Sequence, residues 1–114
     1  MGNNNSSEVF LNLSDAPWTP AGTGVQRQIM GYDASVMLVK VRFEKDAIGE
    51  KHSHPHAQTT CVVSGSFLVE VDDRQQVLSA GDGFYIPPGA VHGVKCLEAG
   101  VLLDAFSPCR EDFL

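Results

Sequence analysis

Residues 52–65 read HSHPHAQTTCVVSG. His52, His54 and His56 are three of the chain's four histidines, and the fourth, His92, lies far downstream. Neutral imidazole is the commonest protein metal ligand, and on a strand alternate residues share a face. His52 and His54 are two apart, so both can project into one interior. Gln58 has the same parity, although Pro55 disturbs the strand between them. His92 falls on a separate expected strand, from which it could complete the site from across a barrel. The stretch therefore calls for a β scaffold with a metal-binding interior.

The rest of the chain supplies such a scaffold. SVMLVKVRF (35–43) places Met37, Val39, Val41 and Phe43 on one face, with Leu38, Lys40 and Arg42 opposite. TTCVV is followed by the break SGS, and FLVEV alternates before the turn DDR. QQVLS precedes Gly81, GFYI ends at Pro87-Pro88, and VHGVKC and GVLLDAF close the regular part. No window sustains the 3.6-residue apolar period of a long helix. Roughly six to nine short strands in one domain mean an all-β antiparallel sandwich or barrel. Residues 25–114 form that barrel. Residues 1–24 read as a polar arm of the same domain or a dimer contact, with one short strand around VFLNL. Trp18 in the arm reads as a core or dimer-packing anchor.

Composition narrows the partners. The 114 residues carry a net charge of −6, which argues against nucleic acid and anionic membrane. An anionic ligand would then need local cations, and Lys40 and Arg42 either face the pocket to supply them or are ordinary outward charges. Cys61, Cys96 and Cys109 have no metal or disulfide spacing and read as free thiols in a reducing cytoplasm. No run approaches the ~20 apolar residues of a membrane span, and MGNNNSSEVF, a polar tip, lacks the pattern of a secretion signal.

Two motifs together resemble the cupin family. One runs His-x-His, three or four residues, Glu, six residues, Gly; here it is His52-x-His54, three residues, Gln58, six residues, Gly65. The other runs Gly, five residues, Pro-x-Gly, two residues, His, three residues, Asn; here it is Gly81, five residues, Pro87-x-Gly89, two residues, His92, three residues, Cys96. The resemblance implies a single-domain cupin, an antiparallel β-barrel or jelly roll. Three positions depart from it. Asp46 stands for a glycine and can adopt the same left-handed turn, Cys96 stands for the asparagine, and Gln58 for the usual glutamate ligand. A neutral amide leaves a bound cation more positive, which suits Lewis-acid work or anion binding.

A narrower resemblance, to the KdgF-type cupins of bacterial pectin and alginate breakdown, covers the chain from about residue 17. It rests on GVQRQIMGYD, HSHPHAQ, AGDGFYIPPGAVHGV and above all DAFSPCREDFL. It implies linearisation of 4,5-unsaturated monouronates to 5-keto-4-deoxyuronate by an isomerase-type enzyme. It also implies one divalent ion (nickel, zinc, iron or manganese), a homodimer and an acidic sugar substrate. By position the metal ligands are His52, His54, Gln58 and His92, and the functional trio is Asp104, Phe106 and Arg110. Spacing alone would leave that trio a strand-end aspartate, a core ring and a tail arginine. With the resemblance, Asp104 is the general acid/base, Phe106 an apolar wall, and Arg110 a substrate-carboxylate or loop-ordering contact. His56 is either a neighbour of the metal site, a substrate-facing group or a solvated loop residue. The competing expectations are a cupin dioxygenase or lyase, and a non-catalytic sugar-binding cupin.

Overall fold

The computed structural model describes residues 5–114; residues 1–4, the start of the polar tip, lie outside them. The described residues form eight strands: β1 (Thr19–Gly22), β2 (Val25–Asp33), β3 (Val36–Phe43), β4 (Ile48–His52), β5 (Ala57–Val71), β6 (Arg74–Ser79), β7 (Gly83–Ile86) and β8 (His92–Ser107). A single 3-10 turn, Glu111–Phe113, follows them. Every pairing is antiparallel, in the order β1-β2-β3-β8-β5-β6, with β4 also on β8 and β7 also on β5. This is the all-β cupin architecture expected. Among the described residues no helix is long and apolar enough to cross a membrane.

Alternation decides which side of each strand is buried. On β3, Met37, Val39 and Phe43 are buried while Arg42 is exposed. One core cluster gathers Val25, Phe43, Val62, Phe67, Cys96 and Leu102, with Phe43 and Phe67 edge to face at 5.2 Å. A second holds Met37, Val39, Phe106 and Cys109. Lys40 and Arg42 belong to the outer face: Arg42 Nε donates to Gln26 Oε1 at 2.8 Å, and its guanidinium lies 4.1 Å from the centre of the Trp18 ring. Trp18 is therefore a half-buried partner of a surface arginine and not a core anchor.

Three sequence expectations change. SGS does not end a strand: β5 runs through it, and the pairing with β8 shifts register between Val62 and Phe67 instead. VHGVKC and GVLLDAF are likewise one strand, β8. A bulge absorbs an extra residue without ending the ladder, so small polar residues here mark irregular pairing and not a turn. The third change is in the arm. VFLNL forms no strand, because Val9 and Phe10 find nothing to bury against and remain 88% and 85% exposed. The arm is held on either side of this stretch: Ser7 N–H donates to the Tyr32 carbonyl (2.9 Å) and Gln28 Nε2 donates to the carbonyls of Leu13 (3.0 Å) and Ala16 (3.1 Å), while its strand forms at Thr19–Gly22.

Two backbone positions explain residue choices. Asp46 has φ 69°, the left-handed turn its replacement of glycine requires. Gly65, at the β5 bulge, has φ 81°, and a Cβ there would lie 2.5 Å from the Glu98 carbonyl oxygen and 2.7 Å from that of Ala99. Neither obstacle can swing away, since both are backbone. Gly65→Ala should therefore destabilise the fold by at least ~2 kcal/mol. The check is urea unfolding, where the midpoint should fall at unchanged slope.

Candidate metal centre and adjoining cavity

Three imidazoles converge at one end of the barrel. His52 ends β4 and pairs directly with His92, the first residue of β8. His92 is thus a strand neighbour of His52, not a ligand reaching from across the barrel. His54 follows β4 in the irregular link to β5, and Gln58 is the second residue of β5. One ligand atom from each of His52, His54 and His92 lies within 4.8 Å of the others. His54 and His92 are buried and His52 is exposed, so the cluster sits at an opening.

Hydrogen bonds fix which nitrogen of each ring is free. Nδ1–H of His52 donates to the Glu50 carbonyl (2.8 Å), that of His54 to the His56 carbonyl (3.1 Å) and that of His92 to the Ala90 carbonyl (3.0 Å). A carbonyl can only accept, so Nδ1 carries a proton in each ring, and in the neutral imidazole Nε2 presents the lone pair. Burial, as the largest influence, pushes the His54 and His92 imidazoles below the usual histidine range and favours their neutral form. Buried His92 Nε2 has no protein partner. His54 Nε2 lies 2.9 Å from Gln58 Oε1, whose amide nitrogen donates to Thr60 Oγ1 at 3.0 Å. Two acceptors facing each other at that distance are satisfied together by a cation. Three clustered imidazoles and an amide oxygen therefore fit a divalent metal ion. The outward Nδ1–H bonds are the orienting contacts such a site needs.

His56 does not join this cluster. It is half-buried, stacks edge-on against His54 at 5.5 Å, and Nε2–H donates to the Cys109 carbonyl at 3.2 Å. It ties the C-terminal segment to the link between β4 and β5 and is not a solvated loop residue.

The polar chain continues inward. Thr60 Oγ1 donates to Asp104 Oδ1 at 2.7 Å, so Gln58, Thr60 and Asp104 form one hydrogen-bonded series. Pairing of β5 with β8 dictates this, because Thr60 sits opposite Asp104 and Gln58 opposite Phe106. Burial pushes the Asp104 carboxyl up to about 6, against smaller opposing effects from Thr60 and Gln58. Phe106 is 3% exposed and lies edge-on to His54 at 5.7 Å and to Phe113 at 5.8 Å. Arg110 is buried and forks onto Asp112, with Nε to Oδ1 at 3.0 Å and a terminal nitrogen to Oδ2 at 2.8 Å. The trio singled out in the sequence thus shares one cavity of about 260 Å³ with His52, Gln58 and His92.

Sequence reasoning missed Arg27, Thr60 and Phe113. Arg27 and Phe113 line that cavity, and Thr60 joins Gln58 to Asp104. Alternation held the signal for two of them. Thr60 follows Gln58 by two residues, and Arg27 lies between Val25 and Ile29 on the inward parity of β2.

Comparison with known proteins agrees with this geometry. A family model described as the cupin domain matches residues 39–106. The chain is 41% identical over 102 residues to the pectin degradation protein KdgF of Dickeya dadantii (strain 3937), covering 88% of this chain and 93% of that protein. Among solved structures, an RmlC-like cupin from Shewanella frigidimarina NCIMB 400 superposes with a TM-score of 0.93 at 43% identity, over 96% of this chain and 99% of that one. KdgF from a Halomonas species gives 0.88 at 36% identity, over 95% and 99%.

Two outcomes follow from the site. The wild-type protein should bind one divalent ion and melt at higher temperature with it. His92→Ala should weaken that binding by at least about 100-fold, the upper end of what losing an orienting partner of a ligand costs. Competition with a chelator of known affinity measures both. The second outcome concerns Asp104 in chelator-treated protein. Its folded carboxyl titrates near 6 against an ordinary 3.8, so the folded state holds the proton more tightly. Stability is therefore lost as pH rises through that interval, and the full cost is present above it. Asp104→Asn should be about 1–3 kcal/mol more stable than wild type at pH 8 and gain nothing near pH 3.5, by urea titration.

Proposed function

The chain belongs to the cupin family, in its KdgF branch, and we propose that it serves pectin degradation by linearising 4,5-unsaturated monouronates. The product is the open-chain 5-keto-4-deoxyuronate, and monomers from alginate are included in the substrate class. The observation that carries this reading is the placement of Asp104. A carboxyl held near 6 by burial shares one cavity with His52, Gln58, His92 and two arginines.

His52, His54, Gln58 and His92 would hold the ion. When bound it supplies positive charge that orients substrate oxygens and stabilises negative charge developing on them, more so with a neutral amide among its ligands. The substrate is a cyclic hemiacetal whose ring oxygen is attached to an enol carbon bearing the carboxylate. As carboxylate, Asp104 takes the proton of the anomeric hydroxyl; the anomeric carbon–ring oxygen bond breaks and an aldehyde forms. The departing oxygen then takes a proton and becomes an enol. Transfer of the enol proton to carbon 4 completes the ketone, and no oxidant is consumed. One carboxyl can fill both roles, taking the proton of the anomeric hydroxyl and returning it to the departing oxygen.

Thr60 holds the Asp104 carboxyl through its 2.7 Å hydrogen bond and so aims the other oxygen. Phe106 and Phe113 exclude water from the reacting end. Arg110, committed to Asp112 by two hydrogen bonds, orders the C-terminal turn that carries Phe113. A homodimer in the cytoplasm completes this proposal, on the strength of the family likeness.

The deciding experiment follows loss of the conjugated enol-acid absorbance of freshly generated unsaturated galacturonate or mannuronate monomer, anaerobically, against spontaneous opening. Metal-loaded wild type should accelerate the decay, and Asp104→Ala should lose at least about 100-fold of that acceleration. Wild type no faster than background would overturn the assignment. A requirement for oxygen would move the protein to the dioxygenases.

A further inference from the structure

Arg27 is the one guanidinium of the cavity without a carboxylate partner among the described residues. It is half-buried on the inward face of β2, between Val25 and Ile29 and opposite Val41 of β3. Val25, Ile29 and Val41 are apolar, and Thr19 of β1 pairs with Arg27 from its other side. The nearby carboxylate, Asp112, has both oxygens engaged by Arg110. The Arg27 and Arg110 guanidinium carbons lie 3.8 and 4.2 Å from the centre of the same Phe113 ring. Burial, then the charge of Arg110, draws Arg27 below the usual arginine value, with Asp112 opposing. Two like charges are thus held beside one ring in a partly dry cavity, and one of them keeps its donors free.

Such an arrangement costs stability unless an anion relieves it. The chain as a whole repels anions, with its net charge of −6, so recognition must come from contact. Arginine offers two parallel donors that match a carboxylate. Arg110 is already spent in this way on Asp112.

We infer that Arg27 receives the carboxylate of the acidic sugar and sets the preference for uronates over neutral sugars, while Arg110 only holds the C-terminal turn. This rests on the uronate reading above and adds the recognition residue that the reading lacks. The sugar then spans the cavity, with its anomeric end toward Asp104 and its acid group at Arg27.

The test uses metal-loaded wild type, Arg27→Met and Arg27→Lys. Calorimetric titration with galacturonate, its methyl ester and galactose measures recognition independently of turnover. Wild type should bind the acid about 10- to 100-fold more tightly than the ester or galactose, the range a charged hydrogen bond gives. Arg27→Met should lose that preference and Arg27→Lys keep part of it. The melting temperature of Arg27→Met should be no lower than wild type, whereas a structural arginine would lower it. With the unsaturated uronate, the loss in Arg27→Met should fall mainly on KM. Undiminished acid preference in Arg27→Met overturns the inference, as does a wild type that binds acid and neutral sugar alike. Preference lost in Arg27→Met, with no acceleration of ring opening by wild type, upholds Arg27 and overturns the enzymatic reading instead.

Discussion

The antiparallel pairing of β5 with β8 is the constraint on which the rest of this molecule depends. These are the two longest strands, and every other strand except β1 and β2 pairs with one of them. Their register places Gln58 opposite Phe106 and Thr60 opposite Asp104 at one end, and Val71 opposite His92 at the other. A shift of one residue would turn every inward side chain outward. The register changes at the bulge around Gly65, where the backbone of Glu98 to Gly100 approaches too closely for any Cβ. The chemistry of the cavity therefore depends on strand geometry at a position that contributes no side chain to it.

Polar groups along that strand pair are placed against their own solvation. Asp104 is held near 6 because the cavity penalises its charge, His92 Nε2 is buried without a protein partner, and Arg27 stands between Val25 and Ile29. Each would be cheaper as an apolar residue. Together they give the cavity three kinds of polar group: imidazoles that could hold a cation, a carboxyl with raised proton affinity and a guanidinium with free donors. A fold that tolerates three such costs in one small domain is matched to a ligand, not optimised for stability alone.

Much of the site was legible in residue order, and the misses have physical causes. The spacing of His52, His54, Gln58, Gly65 and of Gly81, Pro87, Gly89, His92 encodes a turn and a strand pairing as well as ligands, so two short motifs specify a barrel. Alternation put Lys40 and Arg42 opposite the buried side chains of β3, which left their facing open until the barrel closed with that side outward. Arg27 carries the same period-2 signal, since it lies between Val25 and Ile29 on the parity of β2 that lines the cavity. The bulges in β5 and β8 were misread as breaks because a bulge and a turn use the same small residues.

The sequence by itself determined the all-β class and the cupin motifs, since both follow from local periodicity and spacing, and its resemblance to the KdgF-type cupins singled out the candidate ligands. Only the tertiary structure decided that His92 lies beside His52, that Thr60 bridges Gln58 to Asp104, and that Arg110 is occupied by Asp112 while Arg27 is not. Those are contacts between strands distant in the chain. Their pairing is fixed by burial and by the close approach at Gly65, and neither can be read from one segment alone.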